Sequence, residues 1–352
     1  MKRWWLSAVL ALAPVILTDT GAFGQLNPAS LGALGLDEQL DIRRYNDTLG
    51  EVRSEADLLL RFGGQAAQKG NLEKAIDYWT QALLLYQQAE DYEGIGLTYD
   101  YLGLTYAQLG RYLEAENALR RRLGVARSRQ DFLGQIYALN NLGTVLLQSE
   151  SFEAAARTFG EALAIARSID SDTGEGLSLS NLGLVAAGAG DYQQAIKRYE
   201  AALTLRRRTG DPLGEANTRN NLGDAYRALN RHRDALASYR FALRLAQNSR
   251  DPANKFRALN GLFGSYSAQG QYLLAFRTLD QRIALAQEQE NRRQELITLR
   301  MYAQLYRASG NTVDARNFYE RAIALATALG DTQQEALLRN ELAQIIYRRA
   351  GT

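Results

Sequence analysis

The sequence predicts an all-α solenoid of stacked antiparallel helix pairs, and three observations carry that prediction. A turn residue heads the same short motif every forty residues, at Gly70, Gly110, Glu150, Gly190, Asn230, Gly270 and Gly310, with no insertion. A residue able to cap a helix stands at Asp91, Asp131, Ser171, Asp211, Asp251, Asn291 and Asp331, again forty apart. An alanine series, Ala75, Ala115, Ala155, Ala195, Ala235, Ala275 and Ala315, is followed four residues on by Trp79, Leu119, Phe159, Tyr199, Tyr239, Leu279 and Tyr319. A small residue one turn from a large one supplies the groove and ridge with which helices pack. A period this strict means units that bury their apolar faces only against one another.

Taken in chain order, the first element reads as a signal peptide over residues 1–24. Lys2 and Arg3 give a positive start, residues 4–17 are apolar, and Ala22 and Gly24 place cleavage near Gln25. The apolar run is shorter than the roughly twenty residues a span needs, so no stable membrane insertion is expected after cleavage. The expected location is the periplasm, or the lumen in a photosynthetic bacterium. Residues 25–52 break the period and read as a tether, beginning at Asn27-Pro28, with a short capping helix over residues 36–49. Seven repeats follow over 53–331, and residues 332–352 form a C-terminal capping helix and tail, with Arg339, Glu341, Arg348 and Arg349 on its solvent face.

Within the unit at 91–130, Asp91 caps a helix that stops at Gly110, a residue suited to the left-handed conformation of a helix end. A second helix starts near Tyr112. Leu102-Gly103 recurs as Leu142-Gly143, Leu182-Gly183 and Leu222-Gly223. Glycine inside a helix costs about 1 kcal/mol against alanine, so four copies in one phase imply close approach of a neighbouring helix.

Composition narrows the function. Net charge is +2 and spread along the chain, which gives no pull toward nucleic acid. The absence of cysteine removes thiolate chemistry and cysteine metal sites. The single histidine, His232, stands where other repeats carry Tyr112, Phe152, Tyr192 and Tyr272, so it reads as a packing residue. No catalytic residues, metal site or cofactor are expected. Gly63-Gly64-Gln65-Ala66-Ala67-Gln68-Lys69 lacks the glycine before lysine that a phosphate loop needs.

Tyr99, Leu102, Gly103, Tyr106, Gly110, Tyr112, Ala115 and Leu119 together resemble the tetratricopeptide repeat. The forty-residue spacing, against about thirty-four in the common form, is similar to the subclass in kinesin light chains and Pins-type adaptors. Ala138-Leu139-Asn140-Asn141-Leu142-Gly143 and Arg219-Asn220-Asn221-Leu222-Gly223 look much like it, while Phe263, Ala303 and Ala343 depart from the Leu-Gly pattern. The resemblance implies a right-handed superhelix whose first helices line a concave groove. It also implies a ladder of groove positions at Asp100, Asn140, Ser180, Asn220, Asn260, Arg300 and Asn340. Asparagine both accepts and donates on one planar group, so a row of them can hold an extended chain by its backbone. The same residues can instead tie repeats together, a role assigned more readily to Asn141, Asn181 and Asn221 through a backbone carbonyl of the adjacent repeat.

The other groove positions change along the chain. Leu97, Leu104, Tyr137, Leu147, Leu177 and Leu184 are apolar, whereas Asn217, Asp224, Arg227, Arg257, Arg300, Arg307 and Arg348 are polar and mostly basic. Arginine grips carboxylate with a planar fork. The expected function is therefore an exported scaffold that binds an extended, partly acidic segment of another protein. The alternative is a receptor for a peptide or small molecule that acts by closure of the superhelix. Oligomeric state is left open.

Overall fold

The computed structural model describes residues 50–350. The expected signal peptide, the capping helix over 36–49 and all but residues 50–52 of the expected 25–52 segment lie outside them; residues 50–52 open the first helix. Among the described residues there are fifteen helices and no strand. They are α1 (Gly50–Gln68), α2 (Leu72–Gln88), α3 (Tyr92–Gln108), α4 (Tyr112–Ser128), α5 (Phe132–Gln148), α6 (Phe152–Ser168), α7 (Asp172–Gly188) and α8 (Tyr192–Thr209). Then come α9 (Pro212–Ala228), α10 (His232–Asn248), α11 (Pro252–Ala268), α12 (Tyr272–Glu288), α13 (Arg292–Ala308), α14 (Thr312–Ala328) and α15 (Thr332–Ala350). The chain divides into two compact units between Ala225 and Tyr226, inside α9. In the first unit each helix from α1 to α8 packs on the next, and α5 also touches α3 and α7. In the second, α10 to α15 pack consecutively. Seven helix pairs and a closing helix are the repeats that the period predicted.

One turn design links all the helices. A left-handed residue recurs every twenty positions, from Gly70 and Glu90 to Glu290, Gly310 and Gly330. The next residue donates its backbone N–H five residues back, as in Asn71 to Ala66, Asp91 to Tyr86 and Arg111 to Tyr106, each at 2.9 Å. This closes the helix by the Schellman pattern. Asp91 then turns its side chain forward to accept from the Gly94 amide at 3.1 Å. Asp131, Ser171, Asp211, Asp251, Asn291 and Asp331 do the same at their own helix starts. One residue thus satisfies orphan groups of two helices, and a link of three residues, two between α8 and α9, suffices. At the starts of the second helices only Asp191 and Asn311 cap with a side chain, among the described N-caps. Half of the left-handed positions, including Glu90, Glu150 and Arg250, are not glycine.

The Leu-Gly glycines have a physical cause. A Cβ on Gly103 would fall 2.6 Å from Leu119, on Gly143 2.5 Å from Phe159, and on Gly183 2.4 Å from Tyr199. The large residue of each second helix therefore lies directly on the glycine of its own repeat. Gly63 obeys the same rule under Trp79, which also donates to the Leu60 carbonyl at 3.1 Å. A second glycine series, Gly94, Gly134, Gly174 and Gly214, was not singled out in the sequence. Gly94 receives the Tyr86 ring, and Gly214 the Arg206 guanidinium. His232 opens α10 and is half-buried, in keeping with a packing role.

Candidate functional site

The ladder positions sit on the first helices of the repeats, and their polar groups are largely turned into the protein. Asn140 is buried; its amide donates to the Ile136 carbonyl at 2.8 Å and to Ser178 at 3.1 Å, and its oxygen accepts from Asn181 at 2.8 Å. Asp100 accepts from Asn141 at 2.9 Å and pairs with Arg122 at 2.9 Å. Ser180 is buried and shares a hydrogen bond with Thr218 at 3.2 Å. Asn220 is buried. Arg300 donates through Nε and Nη2 to Glu341, at 3.2 and 2.6 Å. These five positions do not present the row of free groups expected of a backbone-gripping ladder. Four of them link repeats: Asp100, Asn140 and Arg300 each meet a side chain forty-one residues later, and Ser180 one thirty-eight later, across the interface between neighbouring first helices. Asn260 and Asn340 are exposed.

The expectation for the following asparagines is corrected in the same way. Asn141 and Asn181 do tie adjacent repeats together, but they donate to the side-chain oxygens of Asp100 and Asn140 rather than to backbone carbonyls. Glu341 takes that place against Arg300.

Two arginines of second helices extend the network. Arg122, on α4, lies between Asp100 and Asp131, with Nη2 3.9 Å from the latter. Burial pushes the Asp100 carboxyl above its ordinary range, and Arg122 with the Asn141 amide opposes that shift. Four repeats later, Arg282 is fully buried and donates to Asn260 at 2.7 Å, to the Gln294 carbonyl at 3.1 Å and side chain at 2.6 Å, and to Thr298. Its guanidinium also stands 5.3 Å from the centre of the Phe256 ring. Neither arginine was read from the sequence, although alanine occupies that phase at Ala82, Ala162, Ala202, Ala242 and Ala322. The exchange of alanine for arginine was the available signal.

The first unit also exposes several large apolar side chains. Tyr137 is 42 % and Leu133 52 % exposed, one turn apart on α5. Beside them at helix starts are Phe132 and Tyr92, the latter with the Arg129 guanidinium 5.0 Å above its ring. Leu97 is half-buried and Leu177 buried, so of these three expected apolar positions Tyr137 is the one that offers surface. Burial, with Asp211 nearby, raises the Tyr137 hydroxyl above its ordinary range, while Arg206 opposes it. Arg206 is itself buried and paired with Asp211, and its burial lowers its pKa. Phe132, Leu133 and Tyr92 were missed because the family's groove phase does not include the first turn. Asp131-Phe132-Leu133, where later repeats have Asp211-Pro212-Leu213 and Asn291-Arg292-Arg293, was the visible cue.

Asp224, in the first unit, and Arg227, Arg257 and Arg307, in the second, are half-buried. Asp224, Arg227 and Arg257 all interact within the chain, so none is an idle charge. Among the described residues no cluster of three metal-ligating side chains occurs, and no helix is long and apolar enough to cross a membrane.

A profile of the tetratricopeptide repeat matches residues 54–128, 174–248 and 255–328. No curated protein sequence matches the chain. Solved structures are similar in fold. The apo form of RapI superposes with a TM-score of 0.56 at 15 % identity, covering 79 % of this chain and 99 % of its own. A Rap protein complexed with competence and sporulation factor gives 0.56 at 14 %, covering 84 % and 76 %. The Rap conjugation gene regulator of plasmid pLS20, in complex with the Phr* peptide, gives 0.57 at 17 %, covering 91 % and 85 %.

Proposed function

The chain belongs to the tetratricopeptide repeat family, and from that premise we propose that it is an exported scaffold that binds an extended, partly acidic segment of a partner protein. The observation that carries the reading is the exposed Leu133–Tyr137 surface on α5, continued by Phe132 and Tyr92. Apolar side chains left uncovered on a rigid helix are anchor positions for a partner's own apolar residues. The acidic character of that segment is inferred from the arginine-rich first helices of the second unit, as at Arg307, because arginine suits carboxylates. The two Rap proteins solved with competence and sporulation factor and with the Phr* peptide lend support by fold. That same likeness favours a second reading, a receptor whose bound peptide changes its curvature; small-angle scattering with and without peptide separates the two.

The test is a cross-linked pull-down from cell-envelope extract with residues 25–352 as bait. Beside it run Leu133→Asp/Tyr137→Ala and the quadruple alanine variant of Asn140, Asn220, Asn260 and Asn340. A partner held by the parent and the folded quadruple variant but lost by the Leu133/Tyr137 variant supports anchoring on α5. Equal retention by all three baits sinks it. Export is checked by following signal processing and compartment in fractionated cells.

A further inference from the structure

The outer face of α1 carries a surface that is complementary to itself. Ser54, Glu55, Leu58, Arg61 and Phe62 form one exposed stripe, at the spacing of a single helix face. Leu58 and Phe62 are 40 % and 38 % exposed. At their phases in later first helices, Thr98, Ala138 and Thr218, and Leu102, Leu142 and Leu222, are buried. Leu142, for one, shares a cluster with Leu119 of the preceding helix α4. The flanking phases differ in character as well. Where the second repeat buries Ile95 and Tyr101, α1 carries Glu55 and Arg61. Both are exposed, and neither enters an ion pair with another described residue. Phe62 leans on the Tyr78 ring of α2, with centroids 5.7 Å apart, which holds the apolar anchor in place.

We propose that this face is the contact of a two-fold dimer, its occupant the α1 helix of a second copy. Charge and size along the stripe favour that occupant. Glu55 and Arg61 stand three residues to either side of Leu58. When two such helices run antiparallel about a two-fold axis at Leu58, that leucine meets its own copy. Each Glu55 then lies level with the Arg61 of the other chain, and their opposite charges attract across the contact. Phe62 lies level with Ser54, a large side chain beside a small one. An isologous contact demands this reciprocity, in which each residue type finds its complement on an identical surface. An apolar centre with a charged rim is also the makeup of a reversible interface. Head-to-tail stacking lacks such a counterpart, because the described side chains that α15 exposes are mainly polar, among them Thr332, Gln333, Arg339, Asn340 and Gln344. One helix face is small against a standard interface, so association should depend on concentration. The contact is independent of the α5 surface.

Sedimentation velocity on the full chain, as the cell processes it, is expected to show a dimer that grows in over roughly 1–100 μM. Glu55→Arg alone and Arg61→Glu alone each set like charges level with one another and are expected to weaken the dimer roughly tenfold. The exchange Glu55→Arg/Arg61→Glu is expected to restore it, with the helical content and melting temperature of the parent in all three variants. A parent that stays monomeric throughout overturns the proposal in favour of cover by another part of the chain. A dimer that neither single variant weakens, or that the exchange does not restore, overturns it in favour of a different surface. The chain has no cysteine, so Leu58→Cys gives a second readout. Placed on the axis, it is expected to yield a disulfide-linked dimer under mild oxidation, and a thiol that remains monomeric counts against the contact.

Discussion

The second and sixth repeats solve the same problem with different charges. In each, an arginine replaces the usual alanine on the second helix and reaches the ladder position of the first. Arg122 meets a carboxylate at Asp100, and Arg282 meets an amide at Asn260, at 2.9 and 2.7 Å through Nε. Arg122 keeps some solvent, with 13 % of its side chain exposed, whereas Arg282 is fully buried among Gln294, Thr298 and Phe256. A neutral oxygen at the ladder position therefore supports a buried guanidinium as part of a well-formed shell. The carboxylate of the second repeat is one of two ways to hold the arginine, and its burial has a cost that Arg122 offsets.

Breaking the pair should have the largest effect. Arg122→Ala leaves Asp100 buried without its countercharge and should cost about 3–5 kcal/mol near neutral pH. The sign with pH follows from the raised carboxyl of Asp100. A carboxyl held above its unfolded value favours the folded state while protonated and loses that contribution as pH rises through its folded pKa. Removing Arg122 raises it further, so the deficit should be smaller at acid pH than at pH 8, as read by denaturant melts. A deficit that does not change with pH would mean packing, not charge, dominates.

A second contrast lies in the Leu-Gly phase. The third repeat has Gly143 under Phe159, while the seventh already carries Ala303, packed in one cluster with Tyr319. Gly143→Ala should cost about 1–3 kcal/mol because the ring must shift, despite the better helix propensity of alanine. Ala303→Gly should cost about 1 kcal/mol through the helix backbone alone. If Gly143→Ala were neutral in thermal unfolding, the Phe159 contact would not be the reason for glycine.

The turns allow a gain instead of a loss. Glu150 holds the left-handed conformation that Gly190 holds one repeat later. Glu150→Gly should stabilise by about 1 kcal/mol, measurable as a higher melting temperature, and Gly190→Glu should lower it. The smallest effect sharpens the opening comparison. Asp100→Asn gives the second repeat the ladder residue of the sixth, and should change stability by no more than about 1 kcal/mol while flattening its dependence on pH. A large loss would show that the carboxylate is indispensable where Asn260 suffices.

Much of the fold was legible because its signals are local. Asp91 and its six equivalents cap their helices as their residue type foretold, since capping joins groups three residues apart. The close approach at Gly103, Gly143 and Gly183 was also readable, though the sequence did not say that it was Leu119, Phe159 and Tyr199 that fill it. The site was less legible. Asn140 and Asn141 are neighbours whose directions differ by about 100° around the helix. Both carry the same chemistry, and nothing in one repeat says which oxygen of the next will meet them. Arg122 and Arg282 looked like ordinary variation in a basic chain until their partners came into view.

The sequence alone determined the period, the helix pairs and their caps, because each depends on spacings within a turn or two of one helix, repeated without insertion. The tertiary structure decided what the ladder is for. Bringing first helices of adjacent repeats together places Asn181 against Asn140, Asn141 against Asp100 and Glu341 against Arg300. A polar group buried beside a partner bonds to it rather than remain unsatisfied. The surface then left outside, Leu133 with Tyr137 and Leu58 with Phe62, emerged only once every neighbour was in place.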